Sequence, residues 1–147
     1  MLQQIVLGST LVIVTTMVHA GCTAAVVWAP RASYVERWLS TSRWAGVILT
    51  AALVLLMFYA SLFEALLWAF TYLEVGAISG LEEALYFSTV TYTTLGYGDV
   101  VLHESWRILA SFEAANGVIM FGWTTALIVA FIQHLYSRKR EAASPDS

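Results

Sequence analysis

The sequence predicts an all-α membrane protein with three membrane-spanning helices and a shorter, re-entrant helix between the second and the third. Two observations lead to this fold class. Hydrophobic residues make up 59% of the 147 residues and charged residues only 12%, which is about half the charged share of a soluble domain. In addition, three apolar stretches reach the length of about 20 residues with which a helix crosses a bilayer. These observations exclude a water-soluble globular domain.

The three predicted spans comprise residues 5–28, 44–73 and 106–136. The first is expected to be a retained helix and not a cleaved leader, because residues 1–4 carry no positive charge and the apolar run is too long for a signal peptide. Residues 81–94 form a further, moderately apolar stretch that is too short to span a bilayer. A segment of this kind is expected to enter and leave the membrane on the same side.

The basic residues predict the orientation, because cytoplasmic loops are enriched in Lys and Arg. Three of the seven lie between the first two spans and three follow the last span, which places both regions in the cytoplasm and the N-terminus outside. The expected location is the cell (inner) membrane, with the C-terminus cytoplasmic. The seven are Arg31, Arg37, Arg43, Arg107, Arg138, Lys139 and Arg140.

Two segments outside the spans have their own patterns. Residues 31–43 fit either a short helix in the cytoplasmic membrane interface or an ordinary connecting loop, and the sequence favours neither. The polar tail, residues 137–147, contains nothing that could bury a core and is expected to be a mobile cytoplasmic end.

A helix start is predicted just before the short apolar stretch. Ser79 and Glu82 have the spacing of a capping box, which would begin a helix at Gly80 or Leu81 and continue it through Tyr92. Glu82 and Glu83 would then occupy the first turn, where the helix dipole favours carboxylates.

The segment after this helix carries the functional signal. It resembles the selectivity-filter signature of the pore-loop potassium channel superfamily, and the resemblance extends over residues 44–136, the expected pore domain. The whole chain looks like a small bacterial-type channel of two membrane helices and a pore loop, with residues 1–30 as an additional, peripheral N-terminal helix. The signature reads Thr93-Thr94-Leu95-Gly96-Tyr97-Gly98-Asp99.

The resemblance implies a homotetramer in the lipid bilayer, with K⁺ as the permeant ion, no organic cofactor and no nucleic-acid partner. Rings of backbone carbonyls would replace the water of the ion. By the resemblance, these carbonyls belong to Thr94, Leu95, Gly96 and Tyr97. Tyr97 would point away from the axis and brace the filter against the pore helix.

Filter support is expected from the residues around these carbonyls. Gly96 and Gly98 would supply the positive φ angles that the backbone needs, and Asp99 would lie at the outer mouth. Tyr86 and Phe87 stand where many members have two tryptophans. Asp99 therefore needs another hydrogen-bond donor, for which Tyr86 is the candidate, and we hypothesise that the altered support favours filter inactivation.

The third span offers two candidate gating positions. Gly117 and Gly122 could act as bending points, and close helix packing is an equally good interpretation of Gly117. Thr124 and Thr125 are expected to face a water-filled cavity below the filter.

Two carboxyl groups lie within predicted spans, where ionisable residues usually face protein or water. Glu64 and Glu113 could meet behind the filter as a proton-dependent brace. The alternative, which the sequence favours, is a pair of structural carboxyls bonded to hydroxyls of the short helix. His19 is expected to pack or to hydrogen-bond to a neighbour. The candidate hydroxyls are those of Ser88, Thr91 and Tyr92.

Several function classes are not supported. The first two spans lack the regularly spaced arginines of a voltage sensor. No nucleophile triad, phosphate-cradling loop or plausible histidine metal site occurs, so no enzyme is predicted. A nonselective cation channel and a nonconducting scaffold with a relic pore loop remain the rival interpretations.

Overall fold

The structure is a computed structural model that describes residues 1–28, 33–42 and 44–143. The described chain is helical and contains no strand. A 3₁₀ turn, Glu104–Trp106, leads into the last helix. The five α-helices are α1 (Leu2–Trp28), α2 (Ser33–Thr41), α3 (Ala45–Glu74), α4 (Leu81–Tyr92) and α5 (Arg107–Ala143).

Three of these helices are long and apolar enough to cross a membrane: α1, α3 and the segment Glu104–Ser137 that contains most of α5. This confirms the predicted all-α membrane protein. The helix α4 has 12 residues and is about 18 Å long at 1.5 Å per residue. It is therefore shorter than the hydrocarbon core of a bilayer.

The core of the chain lies where α4 packs between α3 and α5. Trp68 and Tyr72 of α3, Phe87 of α4, and Leu109 and Met120 of α5 are buried there. The rings of Tyr72 and Phe87 meet edge to face, with their centroids 5.2 Å apart, an arrangement that aromatic pairs favour. This packing holds α4 against the two long helices.

The helix α1, which the sequence analysis expected at the periphery, contacts both α3 and α5. Gly8 permits this contact: a Cβ atom at position 8 would lie 2.7 Å from the ring of Phe112 on α5. The buried residues of α1 are small or polar, namely Gln4, Gly8, Thr15 and His19, and partly buried Leu7, Leu11 and Val12 pack against the core beside them. Such a face suits a helix that docks by close approach and hydrogen bonds.

Two predictions about helix ends need correction. Helix α4 begins at Leu81 with Gly80 as its N-cap, and no side chain caps it, so the capping box predicted for Ser79 and Glu82 does not form. Ser79 lies one residue too early, although Glu82 and Glu83 do occupy the first turn. Helix α5 continues to Ala143, so the expected mobile tail is helical over most of its length; residues 144–147 lie outside the described residues.

The linker prediction is resolved in favour of a helix. Helix α2 forms at Ser33–Thr41, in the middle of residues 31–43. Arg31 and Arg43, at the two ends of that stretch, lie outside the described residues.

Candidate functional site

The candidate site is the loop of residues 93–99 that follows α4. Its backbone adopts positive φ at every second residue: 60° at Thr94, 57° at Gly96 and 80° at Gly98. The two glycines confirm the prediction made for them, because glycine reaches these angles without a Cβ clash. Among the described residues, Thr94 is the one non-glycine residue with positive φ, and strain of this kind is typical of functional sites.

The start of the loop is tied to the last turn of α4 by backbone hydrogen bonds. The amide of Thr94 donates to the carbonyl of Thr91 at 2.9 Å, and the amides of Leu95 and Gly96 both donate to the carbonyl of Val90, at 3.0 and 3.3 Å. These bonds satisfy carbonyls that a helix end otherwise leaves unpaired. The conformation of the loop is therefore built on the carboxyl end of α4.

The far end of the loop is held by the pair predicted from the sequence. The hydroxyl of Tyr86 on α4 donates to Oδ2 of Asp99 at 2.7 Å, and the backbone N–H of Val100 donates to Oδ1 at 3.1 Å. The hydrogen bond from Tyr86 lowers the pKa of Asp99 below its usual value, because it stabilises the charged form of the carboxyl group. The other aromatic side chain, Phe87, turns to Tyr72 instead.

The remaining side of the loop is open in the single chain. Leu95 is 56% exposed and Tyr97 is 68% exposed, so the brace expected of Tyr97 is not buried against α4 of its own chain. Behind the loop lies an open cavity of about 280 Å³, bounded by α4, the loop glycines and the start of α5. The loop therefore has one supported face and one free face.

Glu64 is buried beside the carboxyl end of α4, and each of its carboxyl oxygens has a hydrogen-bond partner. Its Oε1 lies 3.0 Å from Nδ1 of His19 on α1, and its Oε2 accepts a hydrogen bond from the hydroxyl of Tyr92 on α4. The other ring nitrogen of His19 lies 3.1 Å from Oγ1 of Thr124 on α5. This arrangement corrects the placement of Thr124, which faces α1 and not a cavity.

Glu113 is buried one turn of α4 away and has a different set of partners. It accepts hydrogen bonds from the hydroxyl of Tyr72 on α3, at 2.6 Å, and from the hydroxyl of Ser88 on α4. Ser88 also contacts the carbonyl of Ala65 on α3, at 2.6 Å. Glu64 and Glu113 thus bond to hydroxyls of α4, as the structural interpretation expected, and each is satisfied by its own partners.

The two candidate bending glycines have different surroundings. A Cβ atom at Gly117 would lie 1.9 Å from the backbone oxygen of Tyr92, whereas nothing lies within 4 Å of one at Gly122. Helix α5 runs through both positions without a break. Close packing is therefore a demonstrated role of Gly117, and bending at either position stays a prediction.

Charged side chains surround the end of the molecule that carries Asp99. Glu74, Glu82, Glu83 and Glu104 are exposed there, and Arg107 contacts Glu104 at 3.5 Å in an exposed ion pair. Pairs of this kind contribute little to stability. His103 is exposed as well, and its Nδ1 contacts Ser105 at the 3₁₀ turn.

Sequence reasoning missed three buried contacts of this site: His19 with Glu64, Tyr72 with Glu113, and Thr15 with Asn116, the last at 2.8 Å. For the first two contacts the sequence did contain a signal, because an ionisable group inside a membrane usually needs a partner. The number of residues between a position and the end of its helix did not identify the partners. Neighbouring helices tilt and end at different heights, so residues at unequal distances from their helix ends can lie side by side.

Among the described residues, no group of three His, Cys, Asp or Glu side chains is arranged to hold a metal ion. In a comparison with models of protein families, residues 43–134 match the model described as an ion channel. No curated protein and no solved structure matches the chain.

Proposed function

This chain belongs to the family of ion channels with two membrane helices and a pore loop, and we propose that four copies of it form a potassium-selective pore. The pore would be lined by the carbonyls of Thr94, Leu95, Gly96 and Tyr97, with loop 93–99 as the selectivity filter and α4 as the pore helix. K⁺ is the permeant substrate of this pore. The fourfold assembly encloses an axis that a single loop borders on one side only.

The observation that carries the proposal is the alternating backbone of loop 93–99. In an ordinary extended chain successive carbonyls point to opposite sides. Positive φ at residues 94, 96 and 98 reverses every second peptide unit, which supports the alignment of successive carbonyls on one side. Rows of this kind from four chains would offer a dehydrated potassium ion the oxygens that replace its water.

The exposure of the loop supports assembly. Unpaired backbone groups at membrane depth are tolerated only where they line a water-filled or protein-enclosed space. In one chain, residues 93–99 are all exposed, so other chains must enclose them. The exposed Tyr97 side chain would then find its brace on a neighbouring copy.

Electrostatics favours a cation at both ends of the filter. The carboxyl end of α4 carries partial negative charge from the helix dipole, and it lies where the loop begins. The exposed acidic residues at the Asp99 end would raise the local cation concentration. The excess of Lys and Arg in residues 31–43 and 137–147 supports an orientation with this acidic end and the N-terminus outside the cell membrane, and with the C-terminus in the cytoplasm.

The test is ion flux into proteoliposomes that contain the purified protein. We expect potassium flux that barium blocks and much smaller sodium flux under the same gradient. Equal flux of both ions would favour a nonselective cation channel. If no flux occurs at any pH or voltage, the proposal is wrong and a nonconducting scaffold is the better interpretation.

The filter assignment has its own variant and a matched control. Gly96→Ala places a Cβ on a backbone with positive φ, which costs about 1–2 kcal/mol, and should abolish the preference for potassium. Gly76→Ala imposes the same strain, since Gly76 has a φ of 67° and also stands in open space, but it lies in the turn between α3 and α4. Equal loss of selectivity in both variants would contradict the assignment.

A further inference from the structure

We propose that His19 on α1 is a positioning residue for the filter, so that the additional N-terminal helix is a working part of the pore. The inference rests on the proposed function of loop 93–99 as a filter. The family match begins at residue 43 and therefore assigns no role to α1. A series of buried contacts leads from the proposed filter to α1.

Tyr92 fixes the start of the proposed filter. Tyr92 directly precedes Thr93, and its backbone oxygen rests against Gly117 of α5 so closely that no Cβ would fit. Its ring meets Phe121 edge to face, with centroids 5.7 Å apart. Its hydroxyl is bonded to Glu64 of α3. Any shift of this hydroxyl therefore moves the residue on which the filter is built.

His19, in turn, holds the carboxyl group of Glu64. Both side chains are completely buried, and Nδ1 of His19 lies 3.0 Å from Oε1 of Glu64. Because Tyr92 occupies the other oxygen, each oxygen of Glu64 has one partner. Removing His19 would leave a buried carboxyl oxygen unpaired, which is costly in an apolar interior. The carboxyl group of Glu64 would then rotate to bring this oxygen to a donor. The hydroxyl of Tyr92 is bonded to the same carboxyl group and would shift with it.

His19 is itself fixed in place. Its Nε2 lies 3.1 Å from Oγ1 of Thr124, and its ring meets Trp123 edge to face at 5.6 Å. Both nitrogens of the imidazole are thus occupied, one by α3 and the other by α5. A histidine bound at both nitrogens has a defined ring orientation, which is what a positioning residue requires.

The same helix offers a matched control. Thr15 is also completely buried, and its Oγ1 accepts a hydrogen bond from Nδ2 of Asn116 on α5 at 2.8 Å. This contact joins α1 to α5 without touching Glu64 or Tyr92. A purely structural role of α1 predicts similar consequences for the loss of Thr15 and of His19, whereas the positioning role predicts different ones.

The experiment compares the potassium-to-sodium flux ratio of His19→Leu, His19→Asn and Thr15→Val in proteoliposomes. We expect His19→Leu to lower the ratio about tenfold, the change that corresponds to unpairing one buried hydrogen-bonded group. His19→Asn keeps a donor near the position of Nδ1 and should restore the ratio, and Thr15→Val should preserve it. A ratio in His19→Leu equal to that of wild type would overturn the proposal.

A second measurement does not depend on conduction. In full-length protein carrying His103→Asn and His134→Asn, ¹⁵N-histidine NMR reports on His19 alone. We expect Tyr92→Phe to shift the Nδ1 signal through Glu64, and Thr15→Val to leave it in place. An Nδ1 signal that does not shift in Tyr92→Phe would refute the link from Tyr92 through Glu64 to His19. This outcome can be read even if wild type conducts no potassium and the proposed function itself fails.

Tyr92→Phe tests the same proposal if the His19→Leu variant does not assemble. It removes one hydroxyl from the other end of the link and keeps the ring in place. It should lower the flux ratio in the same direction as His19→Leu, and an unchanged ratio would count against the proposal.

Discussion

The hydrogen bond between Tyr86 and Asp99 shows at the scale of single residues how this chain supports its candidate filter. Both side chains are exposed, yet the bond spans from α4 to the end of loop 93–99 at 2.7 Å. The same bond lowers the pKa of Asp99. Since the folded pKa lies below the unfolded value, the contribution of this pair is present above the unfolded pKa and is lost as pH falls through the folded pKa.

Tyr86→Phe should therefore raise the pKa of Asp99 toward its ordinary value. It should also shorten the open state of the proposed channel, because the Asp99 end of the proposed filter loses its link to α4. NMR titration of Asp99 and single-channel recording check the two effects. Tyr59→Phe, at another exposed tyrosine, is the control. An unchanged open lifetime in Tyr86→Phe would remove the idea that this pair limits inactivation.

Residue identity predicted two of the three special backbone angles in the loop. Gly96 and Gly98 were recognisable because glycine is the residue that adopts positive φ readily. Thr94 was not, because a β-branched residue is strongly disfavoured there. Its φ of 60° is imposed by its surroundings, including the hydrogen bond from its amide to Thr91, and a rule based on single residues contains no such information.

At the scale of elements, the contact between Gly117 and Tyr92 joins the carboxyl end of α4 to the middle of α5. The missing side chain at position 117 is what lets the two backbones meet. An outward movement of α5 at this level would break that contact, whereas movement beyond Gly122 would not. The contact thus favours Gly122 over Gly117 as a bending point.

Gly117→Ala should destabilise the protein by about 1–3 kcal/mol, the usual cost of overpacking, because the new methyl group meets backbone atoms that cannot rotate away. Gly122→Ala meets open space in the chain and should stabilise α5 by about 0.5–1 kcal/mol through helix propensity. Unfolding by SDS in mixed micelles measures both free energies. Equal stabilities of the two variants would contradict the packing assigned to Gly117.

Element types and approximate bounds were largely readable from the sequence, because length and apolar composition define a membrane helix. The details of helix ends were not. The predicted N-cap at Ser79 was wrong, since the N-cap residue is Gly80, one position later. The polar residues after Ser137 continue α5 because a helix already formed by the apolar residues propagates cheaply into its next turns.

At the scale of the whole molecule, a single chain leaves its candidate site exposed. Loop 93–99 and much of α5 are exposed, whereas the buried core lies where α3, α4 and α5 meet. The family match supports the two helices and the loop between them. The number of copies stays a prediction from the family resemblance, because the composition of one chain does not encode a symmetry.

The docking of α1 was the part of the architecture that the sequence left open. Its apolar residues surround the helix almost evenly, so they do not mark a contact face. Its buried residues are instead Gln4, Gly8, Thr15 and His19. The partners of Gly8, Thr15 and His19 lie more than 40 residues away in sequence. Such long-range pairs become visible only when the packing is known.

The pairing of His19 with Glu64 also bears on how α3 inserts into the membrane during synthesis. Helix α1 precedes α3 in the chain, so a ribosome delivers His19 to the membrane before Glu64 emerges, while Tyr92 is still unmade. We therefore expect Glu64 to enter the lipid beside His19, which lowers the cost of inserting a lone carboxyl group. In a glycosylation-mapping assay of nascent chains that end before α4, His19→Leu should lower the fraction of inserted α3, and Thr15→Val should not.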